Sequence, residues 1–218
     1  MAVVTISRQF GSGGTEIARR VCELLGYRYL DKLLMGQVAA EVGLSGKELV
    51  EFSEEHTKVR NFLERLFLPG PHTVARYSVR AQGASGAEAV NVVQLDDARS
   101  ASLVRGAIHT AYQQGNVVIV GRGGQAALQD MSGVLHVRIE APMGARILRI
   151  QAREGIVAEE ARELALRQDQ VSAQFLKTLF AIRWDDPSLY HMIINTGKWD
   201  IETAAQIIVN AVGRLPAK

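Results

Sequence analysis

The most restrictive feature of this chain lies at its start. An apolar, β-branched run from Val3 to Ile6 leads through Gly11-Ser12-Gly13-Gly14-Thr15 into an amphipathic stretch that ends at Leu25. That is the pattern of a strand, a tight loop and a helix. Gly26 punctuates the helix end, since glycine tolerates positive φ, and Tyr27 to Leu30 reads as a short second strand. Three further runs, Val117 to Val120, Val134 to Ile139 and Met192 to Ile194, read as buried strands with helical patterning between them. Continuous apolar runs mark strands covered on both faces. The expectation is an α/β fold in three layers, a parallel sheet flanked by helices.

Glycines at a strand-to-helix turn let backbone N–H groups converge on an anion at the helix N-terminus. A full phosphate loop reads G-x-x-x-x-G-K-[ST]. Aligned on Gly13, this chain has Thr15 at the hydroxyl position that meets Mg²⁺, but Arg8 in place of the first glycine and Gly14 in place of the lysine. The lysine normally follows the β and γ phosphates, so its loss weakens binding and transfer unless another cation substitutes. Arg8 is the candidate, being permanently charged and carrying a planar fork suited to phosphate oxygens. The expected phosphate-binding set is Gly11, Ser12, Gly13, Gly14 and Thr15, with Thr15 also serving Mg²⁺ through the nucleotide. Replacing Gly14 by Lys is expected to leave activity unchanged if Arg8 is the substitute. A dinucleotide loop of the G-x-G-x-x-G type fails here, because Glu16 stands where the third glycine belongs and its carboxylate faces the pyrophosphate.

Composition narrows the class. The chain has 218 residues, 47% hydrophobic and 22% charged, which suits one folded domain with an inserted subregion. A net charge of +2 is too small to imply a nucleic-acid tract. No stretch approaches the roughly 20 apolar residues that cross a bilayer, and the N-terminus lacks the basic region and cleavage site of a secretory signal. A cytoplasmic location is the expectation. The single cysteine, Cys22, falls on the buried side of the first helix, so neither a disulfide nor a cysteine metal site is expected. The five histidines show no metal spacing, and His191 reads as a core or edge residue. Ser45 to Phe67 reads as a long helix with Ser45 and Glu48 as a capping box. Residues 69–88, rich in Gly, Ala and Ser and bearing Arg76 and Arg80, read as a loop or an insertion.

The opening Thr5-Ile6-Ser7-Arg8-Gln9-Phe10-Gly11-Ser12-Gly13-Gly14 resembles the signature of the cytidylate kinase-like family, a branch of the P-loop nucleoside monophosphate kinases. Tyr29-Leu30-Asp31-Lys32, Val120-Gly121-Arg122-Gly123, Ala141-Pro142 with Arg146 and Arg149, and Tyr190-His191 with Ile194-Asn195-Thr196 extend the likeness almost end to end. The resemblance implies a single P-loop kinase-like domain over residues 1–218, with a monophosphate-binding insertion in 32–115 and an arginine-bearing lid in 142–183. It implies phosphoryl transfer from ATP to CMP or dCMP, with Mg²⁺ brought by the nucleotide. Arg8, Arg146 and Arg149 are then the catalytic arginines, and Asp31, Arg122, Arg167 and Asp169 the substrate-binding residues.

Each assignment has a second reading. Arg122 holds the monophosphate at the sheet's carboxyl edge, or caps the strand as a surface arginine. Arg146, Arg149 and Arg153, three and four residues apart, focus charge on a transferring phosphoryl group or form a solvated face paired with Glu154, Glu159 or Glu160. Arg167 and Asp169 fall on the family's R-x-D-x-x-R element, but Ser172 replaces its last arginine, which puts the choice of CMP in question. Asp169 is otherwise solvated surface. Asp31 orients the acceptor, assists a metal, or caps a helix over Lys32 to Val42. Asn195 and Thr196 border the adenine or start a turn, and the turn is favoured. Against the enzyme stands a non-catalytic nucleotide-binding module with a degenerate loop, for which Gly14 and Ser172 speak. Oligomeric state is left open.

Overall fold

A computed structural model describes residues 1–31, 78–81, 89–92 and 97–215. The expected helices over Lys32 to Val42 and Ser45 to Phe67, the Ser45 and Glu48 capping box and Arg76 lie outside the described residues. Strands β1 (Val3–Arg8), β2 (Arg28–Leu30), β5 (Val117–Val120), β6 (Val134–Glu140) and β7 (Met192–Asn195) form one sheet in the order β2-β5-β1-β6-β7. Every pairing in it is parallel. These are the five strands read from the apolar runs. Two strands were not read: β3 (Ser78–Ala81) and β4 (Ala89–Val92) pair as a separate antiparallel ribbon. At four residues each, amid Gly, Ala and Ser, they carry too little β-branched or aromatic character to stand out.

Helices α1 (Gly14–Leu25) and α6 (Ile201–Val212) cover one face of the sheet. The other carries α2 (Asp97–Gln114) and the long α5 (Ala158–Phe180), with the single turn α3 (Gly124–Ala127) beside them. Helix α4 (Met143–Glu154) packs on α5 through Ile150, Ala161 and Ala165. Strand alternation decides which side chain meets which layer. Val4 and Ile6 of β1 and Val118 and Val120 of β5 join the α1–α6 core, with Ile17, Val21 and Cys22 of α1. Val3, Val117 and Ile119 join the other, with Ile108, Leu128 and Phe180. Each such fully buried aliphatic contributes roughly 1.5–3 kcal/mol. Cys22 is buried in this packing, as expected, and burial raises its thiol pKa to about 11.

β1 is central, with β5 and β2 on one side and β6 and β7 on the other. Chain connections therefore leave β1 in opposite directions. In an open parallel sheet this reversal opens a crevice beyond the carboxyl ends of the strands, and the glycine loop that follows Arg8 sits there.

Candidate active site

Alternation along β1 sends Arg8 to the same side as Val4 and Ile6, toward the start of α1. The side chain passes directly beneath Gly14: a Cβ built on Gly14 lies 2.4 Å from Arg8 Cβ and 2.9 Å from Cγ. The guanidinium ends against the neighbouring strand, where a Cβ on Gly121 lies 2.3 Å from Arg8 Nη1. Burial holds the Arg8 guanidinium below its ordinary pKa, with Tyr29 and Asp31 acting in the opposite sense. Among the described residues none accepts a hydrogen bond from it. After β5 the chain makes a left-handed turn, Gly121, Arg122 and Gly123, at φ 75°, 58° and 76°. Positive φ at an arginine is strained and is a common mark of functional sites. The turn sets the Arg122 guanidinium 5.2 Å from the Phe175 ring centre. Desolvation first, then the charge of Arg8, hold Arg122 well below the usual guanidinium pKa, with Asp31 compensating in part.

The loop itself is tied down from behind. The Phe10 N–H donates to Asp169 Oδ1 at 2.8 Å, and the Phe10 carbonyl accepts from Arg146 Nε at 2.7 Å. Arg146 Nη2 and Asp169 Oδ2 are 2.6 Å apart, so α4 and α5 together grip one residue of the loop by its backbone N–H and carbonyl. Gln9 Oε1 accepts from the Ala141 amide, and the Ser12 hydroxyl and amide both donate to the Gln9 carbonyl. Arg149 donates to the Thr196 hydroxyl and carbonyl, and the Thr196 hydroxyl donates to the Ser12 carbonyl at 2.6 Å. No side chain caps α1, which leaves its first-turn N–H groups for an anion.

These parts surround a cleft of about 1070 Å³. Its described lining carries five arginines, Arg8, Arg19, Arg122, Arg149 and Arg153, against two carboxylates, Glu16 and Asp31. Such a surplus suits a polyanion. α5 presents Gln168, Val171, Ser172 and Phe175 to it. Ser7 and Trp184 line the bottom, where Trp184 Nε1 donates to Ser7 Oγ at 2.8 Å. Arg138, which is buried, donates to the Trp184 carbonyl and pairs with Glu140. Among the described residues no cluster of His, Cys, Asp or Glu is fit to hold a metal ion, and no helix is long and apolar enough to cross a membrane.

The sequence model of the cytidylate kinase-like family matches residues 3–198. This chain belongs to that family. Within its wider kinship, it is 28% identical over 215 residues to a protein named cytidylate kinase from Pyrococcus horikoshii, covering 98% of this chain and 89% of the relative. Among solved structures, an uncharacterized protein from Eubacterium ventriosum superposes with a TM-score of 0.65 at 19% identity, covering 98% of this chain and 99% of that one. A shikimate kinase from Bacteroides thetaiotaomicron gives 0.50 at 15%, covering 97% and 98%. The fold is thus that of the P-loop kinases, and the family sets this chain among the ATP-dependent nucleotide kinases.

For a cytidylate kinase-like chain the arrangement divides the residues picked out from sequence. Arg8, Gly11, Gly13, Gly14, Thr15, Asp31, Arg122, Arg149 and Arg153 all line the cleft. Ser12 does not: it is fully buried and both its donors turn back to Gln9. Arg146, expected to face the transferring group, is buried in the grip on Phe10. Asp169, expected at the substrate or in solvent, is its partner there, and Arg167 is exposed outside the cleft. The reason is helical geometry. The cleft face of α5 is the row 168, 171, 172 and 175, and positions 167 and 169 point to either side of it. Arg153 stacks on Phe10 at 4.8 Å and pairs with Glu154, one of the acids named as its alternative partner. Asn195 starts a turn, its Oδ1 accepting from the Gly197 amide, whereas Thr196 is buried against the loop. His191 is exposed at the sheet edge and accepts from the His136 amide. Sequence reading missed Ser7, Tyr29, Phe175 and Trp184. Strand parity from Arg8 places Ser7 on the opposite face, and the α5 row places Phe175; nothing local signals Trp184.

Proposed function

We propose that this cleft transfers the terminal phosphoryl group of ATP to a nucleoside monophosphate, with CMP or dCMP as the acceptor. The observation that carries the reading is the pair Arg8 and Arg122. Burial holds both guanidinium groups below their ordinary pKa, the charge of Arg8 bears further on Arg122, and an array of phosphates at the glycine turn relieves both. First-turn amides from Gly13 to Thr15 cradle the β phosphate. Arg122 and Asp31 position the acceptor, and Arg149 and Arg153 face the donor from the α4 side. An oxygen of the acceptor phosphate attacks the γ phosphorus, the bond to the β–γ bridging oxygen breaks, and ADP departs; positioning and charge do the work, with no side-chain nucleophile. The single hydroxyl of Thr15, with no carboxylate cage beside it, fits Mg²⁺ held mainly by nucleotide phosphates, where the ion supplies charge neutralisation. The preference for CMP rests on the name borne by the relatives; Ser172, lining the cleft where the R-x-D-x-x-R element has its second arginine, weakens it.

A coupled spectrophotometric assay of MgATP with each nucleoside monophosphate tests the reading. Turnover with CMP and dCMP above the others is expected, and no turnover with any of them at high enzyme concentration overturns it. The missing ammonium at Gly14 favours a second reading, a nucleotide-binding module without catalysis. Calorimetric binding of MgATP in the absence of turnover selects that one.

A further inference from the structure

We propose that Arg8 is the phosphate cation of this loop and that Gly14 is a glycine because the Arg8 side chain occupies its Cβ space. The inference rests on the phosphotransfer reading above and names the group that does the work of the absent lysine. Gly14 opens α1 with a helical backbone, where no positive φ calls for glycine. Alanine at a helical position is ordinarily more stable than glycine by about 1 kcal/mol. What excludes it is contact: 2.4 Å to Arg8 Cβ, 2.9 Å to Arg8 Cγ and 3.3 Å to Ile139 Cβ. Real Cβ atoms do not approach backbone-anchored carbons that closely, and Arg8 Cβ cannot swing away because Arg8 is held in register with Ile139 of β6 and the next amide, Gln9, donates to the Ile139 carbonyl. Gly121, a glycine already by its φ of 75°, leaves room for the far end: a Cβ there lies 2.3 Å from Arg8 Nη1. The side chain is therefore threaded from one glycine to the other. Its fork emerges between the loop and Arg122 with its donors given to no described residue.

A lysine stem rooted at position 14 begins in the volume that the Arg8 stem fills. The two cations exclude one another, and a chain of this design carries one or the other. This corrects the expectation that Gly14→Lys leaves activity unchanged: alone, it forces Arg8 out of its channel while the new ammonium has no clear path.

The test compares the full-length wild type, Arg8→Met, Gly14→Lys and the double variant Arg8→Gly with Gly14→Lys. The readouts are a thermal melt, calorimetric affinity for a non-hydrolysable MgATP analogue, and turnover with CMP. Arg8→Met is expected to lose about 100-fold in turnover, Gly14→Lys a comparable amount, and the double variant to recover at least about tenfold over Gly14→Lys. Arg8→Met with wild-type affinity and turnover overturns the proposal, as does a folded double variant no better than Gly14→Lys. If the double variant does not fold, Arg8→Met decides alone. Absence of turnover in the wild type removes the catalytic reading only; the analogue affinities of the same proteins still decide whether Arg8 meets the phosphates.

Discussion

At the carboxyl edge of the sheet, burial holds both Arg8 and Arg122 below the ordinary guanidinium pKa, the charge of Arg8 bears further on Arg122, and Arg8 gives its hydrogens to no described residue. On α4, by contrast, Arg146 hands its hydrogens to the Phe10 carbonyl and Asp169. All three guanidinium groups border the same loop, and all three stand out in the sequence as candidate phosphate ligands. The difference shows that proximity to a phosphate loop does not make an arginine a phosphate ligand. What decides it is whether the protein already supplies acceptors in a geometry that holds the side chain still.

The comparison breaks most sharply at Arg122. Arg122→Met is expected to lower kcat/KM about 1000-fold, or about 4 kcal/mol of transition-state stabilisation, in the coupled assay; an unchanged kcat/KM removes Arg122 from the acceptor site. At Asp169 the expected loss is in stability. Asp169→Ala leaves Arg146 buried without its carboxylate and costs about 3 kcal/mol in a denaturant titration, while Asp169→Asn, which still accepts from the Phe10 amide, loses less. Unchanged stability with a raised KM for the monophosphate returns Asp169 to the substrate site. An effect of similar size to that at Asp169 concerns a desolvated base away from the cleft. His136 lies buried between the Thr5 hydroxyl at 2.8 Å and the stacked ring of His191, and burial lowers its pKa to about 4. The unfolded imidazole takes up its proton near pH 6.5 and the folded one only near 4. Stability is intact above pH 6.5, declines as pH falls through that window by up to about 3 kcal/mol, and levels off below it. His136→Gln flattens this part of the pH profile, and an unaltered profile shows that desolvation alone does not hold the ring neutral.

The sheet was legible because its signal is local and repeated: three apolar runs, β1, β5 and β6, are buried almost throughout, and the shorter β2 and β7 flank them as half-exposed edges. Even the direction of Arg8 follows from counting in twos from Val4. The α4–α5 grip was not legible. Spacing tells which residues share a helix face but not which partner that face meets, and the decisive contacts join Phe10 to Asp169 and Ser7 to Trp184 across more than 150 positions of chain. Asp169 therefore looked like a substrate ligand or a surface acid, while its actual neighbour is a peptide bond that carries no side-chain signature. The ribbon of β3 and β4 was lost for a different reason, its strands being too short and too weakly β-forming to be told from loop.

A guanidinium at the floor of the loop also changes how this protein answers to chemical labelling. Acyl-phosphate analogues of ATP mark kinases by acylating the amine that the loop brings to the triphosphate. With Arg8 as the proposed phosphate cation, the amine's place is taken by a group that stays protonated and is no nucleophile at neutral pH. Such a reagent leaves the loop unmodified even while seated in it, and a survey that ranks nucleotide enzymes by amine acylation at this position passes over the chain however well it turns over. Dicarbonyl reagents directed at arginine, with protection by MgATP as the control, are the suitable probes.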